Sequence, residues 1–129
     1  MFVDTNILVR HLTGDPEEQA ARASRFLADA ALLLLPDLVV AEIVYVLASY
    51  YEASRAQVAT ALRSILAFDS IRVVDAALIH RALEVYELDR LDFPDAYLVA
   101  CAERSGVATI ASFDRSIDRI GTVRRIEPA

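Results

Sequence analysis

Short apolar segments that favour β-strands alternate along this chain with longer segments that favour helices. Strands are predicted at 1–3, 31–35, 71–74, 107–112 and 123–126. Helices are predicted at 6–12, 16–29, 38–51, 54–66, 76–90 and 94–105, with a helical turn at 115–119. Strands that alternate with helices form a mostly parallel sheet covered on both faces. The pattern therefore predicts an α/β fold, a single-domain α/β/α sandwich with a central mostly parallel sheet over residues 1–129.

Residues typical of helix ends support these boundaries. The segment 15–18, with aspartate, proline and two glutamates, predicts that Asp15 caps a helix opened by proline. Asp37 is predicted to cap the next helix, and the serine and glutamine of 54–57 fit a capping box. Gly106 is expected to end a helix in the left-handed conformation.

The composition excludes several classes of function. The chain has no lysine and only three glycines, which lie far apart. Lysine-dependent catalysis and glycine-rich phosphate loops are therefore ruled out. One cysteine and two histidines cannot form a Cys/His zinc site. With no signal-peptide pattern and no membrane-spanning apolar run, we expect a cytoplasmic protein.

Four carboxylates stand inside or directly beside apolar segments, where ionised groups are unusual. They are Asp4, Glu42, Asp95 and Asp114. An ionised carboxylate in an apolar setting costs several kcal/mol unless another group compensates it. In the predicted topology all four lie at the carboxyl end of the strands, where α/β folds place their active crevice. We therefore expect them to converge.

Glu42 is the carboxylate that is hardest to explain as a surface residue. Its helical neighbours at spacings of three and four are all apolar; they are Leu38, Val39, Tyr45 and Val46. This pattern predicts that Glu42 points into the buried face of its helix. An arginine partner or a metal ion could then neutralise it, and the metal is the better explanation.

The other carboxylates have alternative roles at helix ends. Asp4 and Asp114 could cap the helical segments that follow them, and Asp95 could interact with a helix dipole. Asp92 could face the same way as Asp95 or act as an N-cap. Asp118, one helical turn after Asp114, could reach a second ion or remain solvated.

A site built only from oxygen ligands selects a hard ion, Mg²⁺ or Mn²⁺. Such ions can polarise a phosphodiester and activate a water. The net charge of −6 argues against a simple nucleic-acid-binding module, but a bound cation would reverse the local field. Six arginines could add phosphate contacts or be ordinary surface charges; they are Arg10, Arg81, Arg115, Arg119, Arg124 and Arg125.

Four segments in order also carry a family resemblance. They are FVDTNIL at 2–8, VAEIVYVL at 40–47, LDFPDAYLVACA at 91–102 and TIASFD at 109–114. Together they resemble the PIN-domain family, and within it the VapC-type toxins of prokaryotic toxin–antitoxin pairs. The likeness covers the whole chain. Each segment alone is weakly specific, whereas four in register are strongly so.

The resemblance implies a Mg²⁺- or Mn²⁺-dependent endoribonuclease that cleaves RNA. It implies that the four carboxylates named above are its catalytic metal ligands. It also implies supporting residues, which are Thr5, Asn6, Asp92 and Ser112. Ser112 replaces the threonine of many relatives, and Ser116 stands where an aspartate is frequent. A homodimer and a small antitoxin that covers the active site are further implications.

Three other functions would depend on the same residues. A haloacid dehalogenase-type phosphatase needs a second aspartate where this chain has Asn6, and it needs a lysine. A phospho-receiver domain also needs a lysine. A catalytically silent PIN-like module that binds RNA or protein stays open as the alternative.

Overall fold

A computed structural model describes all 129 residues, which form two compact units, residues 1–74 and 75–129. Each unit combines helices with one pair of parallel strands. Six helices and parallel strand pairs confirm the predicted α/β fold class. The prediction that residues 1–129 form a single domain stays a prediction.

The first unit contains four helices and two short strands. They are α1 (Thr5–Thr13), α2 (Glu17–Asp29), β1 (Leu33–Leu34), α3 (Asp37–Ser49), α4 (Arg55–Leu66) and β2 (Ile71–Arg72). β1 pairs in parallel with β2, and Leu33 lies opposite Ile71. Helix α1 packs against α2 and α3, and α3 packs against α4. The predicted strand at 1–3 is reduced to one parallel bridge between Phe2 and Leu34.

The core of this unit fixes the segments that carry its carboxylates. Leu8 of α1, Val40 and Ile43 of α3 and Leu62 of α4 are completely buried. Burying one such side chain contributes about 1.5–3 kcal/mol. The N-terminus of α1 and the middle of α3 are therefore held rigidly by apolar packing.

The second unit contains two helices, two strands and a short turn. They are α5 (Ala76–Leu88), α6 (Phe93–Ser105), β3 (Thr109–Ala111), a 3₁₀ turn (Arg115–Arg119) and β4 (Arg124–Ile126). β3 pairs in parallel with β4, and Thr109 lies opposite Arg124. Helices α5 and α6 pack against each other through buried side chains that include Ile79, Leu83 and Val99.

Two predicted helix ends are confirmed by their hydrogen bonds and backbone angles. The backbone N–H of Gln57 donates to Ser54 Oγ at 3.1 Å, and the backbone N–H of Ser54 donates to Gln57 Oε1 at 2.9 Å. These two bonds form the predicted capping box. Gly106 ends α6 with φ of 78° and ψ of −1°, a left-handed conformation that glycine adopts without strain.

The two predicted aspartate caps are wrong. Pro16 and Pro36 occupy the N-cap positions of α2 and α3 in extended conformations. The proline ring fixes φ near −65° but leaves ψ free, so proline can also stand just outside a helix. Asp37 is thus the first residue of α3. The carboxylate of Asp15 instead accepts a hydrogen bond from the hydroxyl of Tyr51 at 3.0 Å.

None of the helices could cross a membrane. The longest contain 13 residues, whereas a helix that spans the hydrocarbon core needs about 20 apolar residues.

Candidate active site

In the first unit, the N-terminus of α1 brings two of the four carboxylates close to one threonine. Asp4 occupies the N-cap position, and its Oδ1 accepts a hydrogen bond from the backbone N–H of Thr5 at 2.8 Å. The hydroxyl of Thr5 donates to Glu42 Oε2 at 2.5 Å. Thr5 therefore links Asp4, the N-cap residue of α1, to Glu42 on α3, which is distant in the sequence.

The prediction that Glu42 points into the buried face of its helix is wrong. Glu42 is exposed. Its neighbours Leu38 and Tyr45 are 75% and 70% exposed, so the apolar side chains around it are not core residues. The buried face of α3 consists of Val40, Ile43, Val44 and Leu47. The alternative of an arginine partner for Glu42 is wrong, because Glu42 forms no ion pair. Its carboxylate accepts a hydrogen bond from the Thr5 hydroxyl instead.

These side chains open onto one cavity of about 480 Å³ in the first unit. Asp4, Thr5, Asn6 and Glu42 all line it. Further lining residues that the sequence did not single out for this site are Asp15, Val46, Tyr50 and Tyr51. The sequence contains a pattern that could have predicted two of these residues. Val46 and Tyr50 follow Glu42 at helical spacings of four, which places all three on one face of a helix.

In the second unit, Asp95 and Asp114 lie close enough for each to shift the pKa of the other. Asp95 is in the first turn of α6, and Asp114 caps the 3₁₀ turn by accepting from the backbone N–H of Ser116 at 2.9 Å. Two ionised carboxylates this close together repel each other.

The two members of this pair have opposite pKa shifts. Burial raises the pKa of Asp95, and the neighbouring charges of Asp114 and then Asp92 raise it further. The pKa of Asp114 is lowered, chiefly because the backbone N–H of Ser116 donates to its carboxylate. A cation beside this pair would relieve the repulsion that raises the pKa of Asp95.

Two predicted supporting residues lie next to this pair. The hydroxyl of Ser112 accepts a hydrogen bond from the backbone N–H of Asp114 at 2.9 Å, which orients the start of the 3₁₀ turn. Asp92 occupies the N-cap position of α6, one turn before Asp95. Its charge is one cause of the raised pKa of Asp95.

Asp118 forms an ion pair with an arginine. Arg125 Nε and Nη2 donate to its two carboxylate oxygens at 2.9 and 3.1 Å. The hydrogen bond from Arg125 lowers the pKa of Asp118. Arg81 is likewise paired with Glu103, at 2.8 Å, and with Glu84. These two arginines of the phosphate-contact set are therefore neutralised within the fold.

The donor atoms present fit a hard divalent cation, because both carboxylate pairs and their neighbours offer only oxygen ligands and the Asn6 amide. No group of three or more His, Cys, Asp or Glu side chains is positioned to hold a metal ion. The structure thus brings Asp4 together with Glu42, and Asp95 together with Asp114. The convergence of all four at one ion stays a prediction.

Comparison with known proteins identifies one family across most of the chain. The family model for the PIN domain matches residues 1–123. A VapC ribonuclease of Aquifex aeolicus (strain VF5) is 25% identical over 124 residues, which is 93% of this chain and 91% of that relative. The matched region includes every predicted site residue.

Two solved structures match the chain at low sequence identity and low TM-score. The sarcin-ricin loop cleaving toxin VapC20 of Mycobacterium tuberculosis is 23% identical, with a TM-score of 0.45 over 95% of this chain and 98% of that one. VapBC2 of Rickettsia felis, bound to a DNA fragment from its promoter, is 17% identical, with a TM-score of 0.37 over 98% and 96%.

Proposed function

The chain belongs to the PIN-domain family, and from this membership we propose that it is a divalent-metal-dependent endoribonuclease, the toxin of a type II toxin–antitoxin pair. It would hydrolyse phosphodiester bonds of RNA. The similarity to a VapC ribonuclease along most of both chains supports this activity. The observation that carries the proposal is the gathering of Asp4, Thr5 and Glu42 around one cavity, linked by two hydrogen bonds.

We assign the metal ligands to the four carboxylates that the resemblance to the PIN-domain family implies. They are Asp4, Glu42, Asp95 and Asp114. Mg²⁺ or Mn²⁺ suits such ligands, because both ions prefer oxygen donors and keep coordination positions open for water and phosphate. When bound, the ion would supply Lewis acidity that polarises a phosphodiester and activates a water for in-line attack.

Neighbouring side chains of the protein orient these ligands. Thr5 holds Glu42 through its hydroxyl, and Ser112 holds the backbone of Asp114. The N-cap bond fixes one oxygen of Asp4. Asn6 lines the same cavity as Asp4, where its amide could donate to a phosphate oxygen. A ligand set that is oriented before substrate arrives needs less reorganisation during the reaction.

Replacing Thr5 by valine is expected to lower kcat about 10- to 100-fold, the usual cost of removing a group that orients a metal ligand. Valine keeps the shape of threonine but cannot donate to Glu42. Thr5→Ser keeps the hydroxyl and should stay close to the unchanged protein. The kcat of both variants is measured from initial rates of RNA cleavage at saturating Mn²⁺. Equal losses in the two variants would show that shape, rather than the hydrogen bond, matters at this position.

The proposed activity is tested by incubating the purified chain with a panel of defined RNAs, with Mn²⁺ or with EDTA. Cleavage of at least one RNA in Mn²⁺ and none in EDTA is expected. Calorimetric titration with Mn²⁺ separates the alternative, because a catalytically silent PIN-like module need not bind the ion. Absence of both cleavage and Mn²⁺ binding would support the silent module.

We propose that the protein acts in the cytoplasm with two protein partners, a second copy of itself and a small antitoxin. Several large apolar side chains are exposed, among them Phe2, Leu38 and Val74. We propose that these side chains contribute to the two interfaces, because burying exposed apolar surface favours association. Light scattering on the purified chain should give the mass of a homodimer. The mass of one chain at micromolar concentration would contradict the dimer.

A further inference from the structure

We propose that Tyr50 and Arg10 form a nucleotide subsite beside Asp4 and Glu42, in which a base stacks on Tyr50 and a phosphate contacts Arg10. This inference rests on the proposed ribonuclease function and deepens it, because it identifies residues that bind a single-stranded RNA next to the bond that is cut.

The ring of Tyr50 is an exposed aromatic surface in the cavity that holds the carboxylates of the first unit. Tyr50 is 76% exposed and lines that cavity together with Asp4 and Glu42. It is the C-cap residue of α3 and follows Glu42 by eight residues, which corresponds to about 12 Å along the helix axis. A base on Tyr50 would thus belong to a nucleotide near the scissile phosphate.

A second aromatic ring packs against Tyr50. The ring of Tyr51 meets it edge to face, with centroids 4.9 Å apart and an interplanar angle of 72°. The hydroxyl of Tyr51 donates to Asp15 Oδ2 at 3.0 Å, which holds Tyr51 in place. Tyr50 is therefore supported from one side and accessible from another. Aromatic rings placed in this way bind unstacked bases of single-stranded RNA.

Arg10 supplies a positive charge that no carboxylate neutralises. Its Nη1 donates to the backbone carbonyl of Asn6 at 3.5 Å, and its Nε donates to the side-chain carbonyl of Gln19. Both acceptors are neutral, so they orient the guanidinium without cancelling its charge. Arg81 and Arg125, in contrast, are paired with carboxylates. An oriented and unpaired arginine is suited to a phosphate.

The positive charge continues into a neighbouring cavity of the first unit. This cavity, of about 590 Å³, is lined by Arg10, Asn6 and Arg22, and no acidic residue lines it. Asn6 and Arg10 belong to both cavities. Two adjacent cationic side chains are notable in a chain with net charge −6. A polyanion could extend along them from the carboxylates, whereas a basic peptide would be repelled there.

The test compares Tyr50→Leu with Tyr50→Phe and with a matched control, Tyr45→Leu. Tyr45 is a similarly exposed tyrosine on α3 that does not line the cavity. Loss of stacking should raise KM for a cleaved single-stranded RNA about 5- to 150-fold, with kcat within about twofold. Tyr50→Phe and Tyr45→Leu should keep the KM of the unchanged protein. Because Tyr50 is exposed, these variants are expected to fold.

The arginine is tested in the same assay by Arg10→Gln, with Arg25→Gln as its control. Arg25 is an exposed arginine on α2 that lines neither cavity. Arg10→Gln should raise KM and weaken the salt dependence of KM, because one phosphate contact is lost. Arg25→Gln should change neither.

A binding signal separates this inference from the proposed activity. A short oligoribonucleotide from the panel, carrying 2-aminopurine, should lose fluorescence on mixing with the unchanged protein in Mn²⁺ but not with Tyr50→Leu. If the protein cleaves RNA and Tyr50→Leu has an unchanged KM and the same quenching, the subsite is wrong and the ribonuclease stands. If the unchanged protein cleaves no RNA and quenches no fluorescence, both proposals are wrong.

Discussion

Replacing Asp4 by asparagine is expected to slow RNA cleavage about 100- to 1000-fold while the protein remains folded. Asparagine is as good an N-cap as aspartate, so the bond from the backbone N–H of Thr5 to this side chain can be kept. The substitution removes the negative charge of Asp4, which we propose binds the metal ion. The measurements are kcat in Mn²⁺ and the thermal unfolding midpoint Tm of the same sample.

Asp15→Asn is the matched control for this experiment. Asp15 is an exposed carboxylate that lines the same cavity as Asp4, and its hydrogen bond from Tyr51 can be kept by an asparagine. It is not one of the proposed ligands, so its cleavage rate should stay within about threefold, since surface substitutions usually have small effects. An unchanged rate in Asp4→Asn, or an equal loss in Asp15→Asn, would count against the assignment of Asp4.

Replacing Asp95 by asparagine is expected to have two opposite effects. Cleavage should fall about 100- to 1000-fold, because a proposed ligand is lost. The metal-free protein should become more stable, because the neutral amide removes the repulsion between Asp95 and Asp114. The rate is measured in Mn²⁺ and Tm in EDTA. A variant that loses activity but also loses stability would indicate a structural role instead.

The gain in stability should depend on pH in a definite direction. Burial and the charge of Asp114 raise the pKa of Asp95 in the folded protein. A carboxyl with a raised pKa destabilises the fold when it is ionised, and this cost disappears as the pH falls through the folded pKa to the unfolded value near 4. The Tm difference between Asp95→Asn and the unchanged protein should therefore be positive at neutral pH and vanish in acid.

Asp118→Asn provides the contrast, because the sign is reversed at that position. The hydrogen bond from Arg125 lowers the pKa of Asp118. Stability from this carboxylate is present above the unfolded pKa and is lost as the pH falls through the folded value. Asp118→Asn should therefore lower Tm at neutral pH, by a small amount because the carboxylate of Asp118 is exposed to solvent. The same sign for Asp95 and Asp118 would refute this electrostatic account.

Local signals in the sequence predicted the fold well where neighbouring residues alone decide the structure. The capping box of Ser54 and Gln57 and the left-handed Gly106 were predicted correctly, because both depend on a few adjacent residues. The N-caps predicted at Asp15 and Asp37 are wrong, because adjacent residues there allow two different cap positions. A proline beside each aspartate took the N-cap position, and both arrangements are sterically allowed.

The orientation of Glu42 could not be derived from its apolar neighbours. Which face of α3 is buried is decided by the helices that pack against it, and these are α1 and α4. Leu38 and Tyr45 are left on the outside. Likewise the pairing of Asp118 with Arg125 follows from the position of β4 next to the 3₁₀ turn, a tertiary feature. The hydrogen bond between Thr5 and Glu42 likewise depends on tertiary packing, because it joins α1 to α3.

The most direct test of the account is calorimetric titration of Mn²⁺ into the unchanged protein and into Asp4→Asn and Asp95→Asn. If Asp4 and Asp95 are both ligands of a hard cation, the unchanged protein binds Mn²⁺, and each variant binds it at least about 10-fold more weakly. Mn²⁺ affinities in both variants equal to that of the unchanged protein would contradict the proposed metal site.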